Sequence, residues 1–179
     1  MKLGLVRHFQ VKRGFPEKTF LTPDQFNEWV EEYENSDIED GEIDLGGIKW
    51  SKCIASDSLR AAKTAEKIYS GNIIKMNELR EVRPYPFFKI NLKLPFILWI
   101  ILVRVAWLIS HKSQIENVTD FKKRINAVLD KILSANEGNV LIVSHGALMM
   151  YMRKELLNRG FKGPKFKIPI NGKLYLYES

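Results

Sequence analysis

Two histidines stand directly after short apolar runs: Lys2–Val6 leads into Arg7-His8, and Asn139–Ser144 leads into His145-Gly146. Apolar runs of this length suit strands buried on both faces of a parallel sheet. In open α/β sheets, ligands bind beyond the carboxyl ends of such strands. The spacing therefore predicts two imidazoles and a guanidinium in one crevice. Imidazole serves as nucleophile or proton carrier. Gly146 permits a tight turn, and the helix it opens offers free backbone N–H groups and a positive dipole end to an anion.

Two more segments reach the same edge. Cys53–Ala55 reads as a short strand, followed by a helix over Ser58–Tyr69 capped by Ser56, Asp57 or Ser58. Arg60 lies in its first turn, where a guanidinium can fold back over the strand end and grip phosphate through two charge-assisted hydrogen bonds. Ala61, Ala62 and Ala65 let that helix approach the sheet closely. After the strand Ile73–Met76 comes Glu78-Leu79-Arg80-Glu81, which brings a carboxyl group to the rim. Glu81 and Glu78 both qualify, and either could instead pair with Arg80 or Arg83.

These groups need a scaffold, and the remaining sequence supplies one. Thr22–Asn35 places Phe26, Trp29, Val30 and Tyr33 at helical spacing after Pro23. Asp37–Gly47 is an acidic, glycine-rich loop. A helix is expected from about Thr119 to Leu133, capped by Thr119 or Asp120, and another from Gly146 to Asn158. Lys167–Ile170 and Lys173–Tyr177, flanking Asn171-Gly172, read as a terminal hairpin. Strands alternating with helices make the chain α/β with a mostly parallel sheet. Pro95–Ile109 is apolar apart from Arg104 and, at about 15 residues, shorter than the roughly 20 that span a bilayer. Its expected role is core or cap first, a homodimer contact through 95–109 second, and membrane association third.

Composition narrows the function classes. At 179 residues the chain is expected to form one domain, and its 45% hydrophobic and 27% charged residues are globular in character. The single cysteine, Cys53, excludes a disulfide scaffold or a thiolate metal cluster within the chain. The net charge of +7 favours anionic partners. No nucleic-acid reader motif accompanies the scattered lysines Lys162, Lys165 and Lys167. No secretory h-region follows Met1, so a cytoplasmic location without stable membrane insertion is expected. His111 belongs to no cluster. Trp29, Trp99 and Trp107 are expected in the core.

Leu5-Val6-Arg7-His8, Ser56–Ala65, Leu79-Arg80-Glu81 and Val143-Ser144-His145-Gly146 resemble, in order and separation, the signatures of the histidine phosphatase superfamily, also called the phosphoglycerate mutase-like family. The resemblance covers residues 2–150 and implies a three-layer α/β/α sandwich. It also implies roles: His8 as phosphoryl-accepting nucleophile, Arg7, Arg60 and His145 as the phosphate pocket, and Glu81 as acid and then base. No metal and no other cofactor is implied. A protonated His145 beside a neutral His8 would require their pKa values to be pushed apart.

The chain departs from the family pattern at Phe9, where Gly is usual and where a ring could narrow the pocket or stack on substrate. It departs again at Gly14, where many members place an Asn near the phosphate. Its shortness disfavours a mutase. The reading is a metal-independent phosphatase acting on a phosphorylated small molecule or phosphoprotein, such as a sugar phosphate, α-ribazole phosphate or a phosphohistidine protein. Residues 82–118 would form a substrate-selecting cap with Phe87, Phe88, Phe96, Trp99 and Trp107 as an apolar wall. The alternatives are a phospholigand-binding module that Phe9 has closed, a phosphoglycerate mutase-type phosphotransferase, and a membrane- or partner-docking protein using 95–109.

Overall fold

In the computed structural model, which describes residues 1–88 and 90–179, strands are β1 (Lys2–Arg7), β2 (Phe20–Leu21), β3 (Lys52–Ser56), β4 (Ile73–Met76), β5 (Leu94–Pro95), β6 (Val140–Ser144) and β7 (Leu174–Glu178). Helices are α1 (Pro23–Asn35), α2 (Leu59–Ile68), α3 (Phe96–Leu108), α4 (Val118–Ala135) and α5 (Gly146–Asn158). The main sheet runs β4-β3-β6-β1-β7, parallel except for β7. The continuous apolar character of β1 and β6 follows from burial on both faces. Leu3, Leu5, Val140 and Ile142 pack against Phe121, Ile125 and Leu129 of α4 and Leu148, Met149 and Met152 of α5. Val6, Ala55, Leu141 and Val143 face the opposite side, against Ala61 and Ala65 of α2 and against Trp50. This is the expected three-layer sandwich with a mostly parallel sheet.

Capping matches local chemistry. Thr22 and Gln25 form a reciprocal capping box on α1. Asn117, ahead of the expected Thr119 or Asp120, caps α4 by accepting from the N–H groups of Thr119 and Asp120.

The expected terminal hairpin is absent. Residues 167–170 form no strand, because Pro169 has no N–H to give a ladder and Ile170 N donates to the Tyr175 hydroxyl instead. β7 pairs antiparallel with β1, from Lys2↔Glu178 to Val6↔Leu174. Asn171-Gly172 clamps the end of β1: Asn171 Nδ2 donates to His8 O (2.7 Å) and Gly172 N to Arg7 O (2.9 Å). Gly172 adopts φ +62°, which suits a residue without Cβ.

A third cluster lies beyond the sheet. Phe96, Trp99 and Val103 of α3 pack on Phe26 and Val30 of α1 and on Leu21. Trp99 Nε1 donates to Leu21 O at 2.9 Å, and β2 pairs with β5 to tie the two segments together. Among the described residues no helix is long and apolar enough to cross a membrane.

Candidate active site

The register that pairs Arg7 with Ser144 carries one residue further, where His8 N donates to Ser144 O at 3.0 Å. The two histidines thereby leave adjacent strand ends together, with ring centroids 5.2 Å apart and planes 58° inclined. His8 Nδ1 lies 2.6 Å from Phe9 O. A carbonyl only accepts, so Nδ1 carries the proton and Nε2 keeps its lone pair. Burial, reinforced by the Arg60 and Arg7 charges against the opposing Phe9 hydrogen bond, lowers the His8 pKa to about 3. Burial, then Arg60, His8 and Arg7, push His145 well below its ordinary value too. Rather than being driven apart, both imidazoles are held neutral.

His145 Nε2 lies 3.0 Å from Ser56 Oγ and 3.1 Å from Ser58 Oγ. Ser58 is the N-cap of α2 but makes no side-chain capping bond, so its hydroxyl serves the histidine instead of its own helix. Arg7 Nη1 donates to Pro169 O at 2.9 Å. A Cβ on Gly146 would meet Arg7 Cζ and Nε at 3.6 Å, an ordinary contact, which places the guanidinium against the start of α5. Arg60, folded back as its position predicts, lies 5.4 Å from the centre of the Tyr33 ring. Burial lowers its pKa, opposed by Tyr33, Glu34 and Glu81. Arg7 Nε, Arg60 Nε and His145 Nδ1 are buried without a hydrogen-bond partner among the described residues. Such groups are rare in folded proteins, and these three belong to the residues at the strand ends.

Glu81 Oε2 accepts from Ala147 N at 2.9 Å, which sets the carboxyl group on the first turn of α5. The flanking backbone is fixed from two sides. Arg80 forms a two-pronged pair with Asp57 at 2.6 and 2.7 Å, and Arg124 donates to the carbonyls of Glu78 and Arg80 while pairing with Glu116. Arg83 pairs with Glu31 and Glu34. Of the two candidate carboxylates, Glu81 lines the central cavity, and Glu78 is exposed outside it.

That cavity, about 350 Å³, has Arg7, Arg60 and Glu81 among its polar wall groups and Trp29, Val30, Val103 and Trp107 among its apolar ones. His8 and His145 are 2% and 1% exposed and do not line it. Several expectations change here. The Phe9 ring neither narrows the cavity nor faces it: it packs where Gly41 and Gly172 have no side chain, each position's Cβ falling within 3 Å of the ring, while Phe9 N donates to Thr64 Oγ1. Gly14 is exposed, and its carbonyl accepts from Trp29 Nε1. Lys12 and Arg13 beside it are paired with Asp37 and Glu32. Of the expected apolar wall only Trp107 lines the cavity, because Phe96 and Trp99 are consumed in packing α3 on α1 and Phe88 packs against that cluster. Trp29, expected in the core, belongs to the wall.

Tyr33, Glu34, Arg104 and Gln114 also line the cavity and were not foreseen as site residues. Arg104 carried a signal, being the one charge in an apolar run. Tyr33 carried none, since its helical spacing with Phe26, Trp29 and Val30 equally describes a core stripe. Among the described residues no group of three or more His, Cys, Asp or Glu side chains is gathered for a metal.

A buried pair of neutral imidazoles with two guanidinium groups near them, at the carboxyl edge of a mostly parallel α/β sheet, is chemistry suited to an anion. The chain belongs to the histidine phosphatase superfamily, branch 1, whose family model matches residues 43–178. Arg7 and His8 precede the matched span, and the sheet register brings them to it. Solved structures share the fold at low identity. The α-ribazole phosphatase of Shigella flexneri is 19% identical over 87% of this chain and 79% of its own, with TM-score 0.53. The phosphoglycerate mutase of Bacillus anthracis str. Sterne is 19% identical over 98% and 86%, with TM-score 0.57. The mycobacterial glucosyl-3-phosphoglycerate phosphatase is 18% identical over 88% and 79%, with TM-score 0.55. Among curated proteins none matches the chain by sequence.

Proposed function

We propose that the chain is a metal-independent phosphomonoesterase working through a phosphohistidine on His8. The observation that carries this reading is the His8 ring itself: Nδ1 is tied to the Phe9 carbonyl, which leaves the Nε2 lone pair free, and the charges of Arg60 and Arg7, whose Nε–H donors are unpartnered among the described residues, act on the ring. Nε2 attacks phosphorus, the P–O bond to the leaving alcohol breaks, and Glu81 delivers its proton to that oxygen. Water then attacks the phosphohistidine, gives its proton to Glu81, and the N–P bond breaks to release inorganic phosphate. Arg7, Arg60 and His145 hold the phosphoryl oxygens throughout, and their preset positions limit the reorganisation needed as charge shifts. Burial chiefly, and the arginine charges after it, hold His145 neutral; a dianionic phosphoryl group between the arginines offsets those charges, so substrate binding raises its pKa. A leaving group of metabolite size suits the cavity.

The Phe9 ring is outside the cavity lining and so gives no support of its own to a closed, purely binding site; His8, 2% exposed, must become accessible for the attack. The test is hydrolysis of an aryl phosphate in the presence of a chelator, with an alkaline quench to preserve phosphohistidine. Turnover, and a labelled acid-labile phosphoenzyme that His8→Ala abolishes, are expected. Turnover that survives His8→Ala, or that the chelator stops, overturns the reading.

A further inference from the structure

Helix α3 has two unlike faces. Phe96, Trp99, Val103 and Ala106 are buried, whereas Ile97, Ile101, Val105 and Leu108 form a row at i, i+4, i+8 and i+11 on the opposite side, with Ile97 62%, Ile101 52% and Leu108 63% exposed. Ile109 continues the row past the helix end, and Phe15, exposed and edge-on to Phe96, extends the apolar surface at the other end. A contiguous apolar face of this kind marks an interaction surface in a water-soluble fold. The charges around it select the partner. From Val82 to Ile115 the chain has five basic residues, Arg83, Lys89, Lys93, Arg104 and Lys112, and no Asp or Glu. Lys93, Arg104 and Lys112 are exposed and form no ion pair among the described residues. Two copies meeting face to face through α3 would bring these cations together, which opposes self-association.

We infer that the exposed face of α3 docks the protein on an anionic lipid surface, peripherally and reversibly. Ile97, Ile101, Val105 and Leu108 enter the headgroup boundary while Lys93 and Lys112 meet lipid phosphates, the arrangement of a helix lying in the interface rather than crossing it. The 13-residue length of α3 is too short to span a bilayer but sufficient to lie on one. A neighbouring edge of α3, through Ile100, Val103, Arg104 and Trp107, lines the cavity, and Ile97, Ile101, Val105 and Leu108 are outside that lining.

The test is co-sedimentation of the full chain with sucrose-loaded vesicles of phosphatidylcholine alone or with 30% phosphatidylglycerol (about a third of the lipid charged, enough to generate a strong surface potential), together with sedimentation velocity without lipid. Binding to the anionic vesicles only, weakened by added salt, is expected. Ile101→Glu should reduce it more than tenfold, and Lys93→Ala with Lys112→Ala by roughly 25-fold, about fivefold for each lysine. Both sets of positions are exposed and outside the cavity, and circular dichroism checks that the variants fold. Equal binding to neutral vesicles, no binding to either, or a lipid-free dimer that Ile101→Glu dissolves would each overturn the inference. None of these outcomes bears on whether the cavity hydrolyses a phosphate ester.

Discussion

The carboxyl edge of the sheet and the helix that overhangs it are built on opposite rules. At the edge His8 and Glu81 are placed by backbone, His8 by the β1–β6 register and the Phe9 carbonyl and Glu81 by the first turn of α5, while His145 leaves the end of β6 to meet the Ser56 and Ser58 hydroxyls. Around α3, position depends on side-chain packing, with the Trp99 ring between Phe26 and Phe88 and its Nε1 bonded to the Leu21 carbonyl. Backbone placement holds a reacting group to a fraction of an ångström, whereas a packed apolar wall can change shape from one relative to another without moving the chemistry. The edge is suited to govern rate and the overhang to govern which ester is accepted.

Substitutions can break that division. The largest loss is expected from Arg60→Ala, which removes a buried guanidinium beside both imidazoles: kcat with an aryl phosphate should fall by about 10²–10³, measured at saturating substrate. A fall in affinity alone, with kcat preserved, would place Arg60 in ground-state binding and blur the contrast. Glu81→Gln should lower kcat about 10²-fold with alkyl phosphates and markedly less with a nitrophenyl ester, whose leaving oxygen needs little proton assistance. A loss independent of leaving group would mean that Glu81 only anchors the start of α5. Trp107→Ala should instead raise KM about tenfold for esters with bulky apolar alcohols and leave kcat for small ones unchanged, read from a substrate panel.

The same division governs how much was legible in the residues. Arg7, His8, Arg60 and His145 were readable because each ends or directly follows a strand or lies in the first turn of a helix, so chain order nearly equals position in space. The outcome at Phe9 was not, since whether a ring points into the cavity or away depends on Gly41 and Gly172, 32 and 163 positions later, lacking side chains at the place where it packs. Asn171-Gly172 carried a sound local turn signal, but the segment before it ends in Pro169-Ile170, and β7 finds a better partner in β1. Phe96 and Trp99 were legible as apolar and helical, yet which face of α3 met α1 and which met the cavity was set by contacts across some 75 residues.

The smallest expected effect tests the electrostatics that the edge rests on. His8 and His145 are both held below the ordinary histidine value, His8 at about 3, chiefly by burial. In the unfolded chain each titrates near 6.5. Between roughly pH 3 and 6.5 the unfolded state therefore binds more protons than the folded one, and stability rises with pH across that window and is lost as pH falls through it. Each histidine contributes a slope of up to about 1.4 kcal/mol per pH unit, so urea midpoints taken at pH 5 and pH 7 should differ by more than surface groups alone produce. His8→Gln should flatten the profile by about half, and an α3 surface variant such as Ile101→Glu should leave its shape alone. Phosphate in the buffer should shift the low-pH limb downward, because an anion between Arg7 and Arg60 removes part of the charge that opposes protonation of both rings. A profile that His8→Gln leaves unchanged would mean that the imidazoles are open to solvent and protonate like surface histidines, and the edge would then lack the dry, preset character that separates it from the overhang.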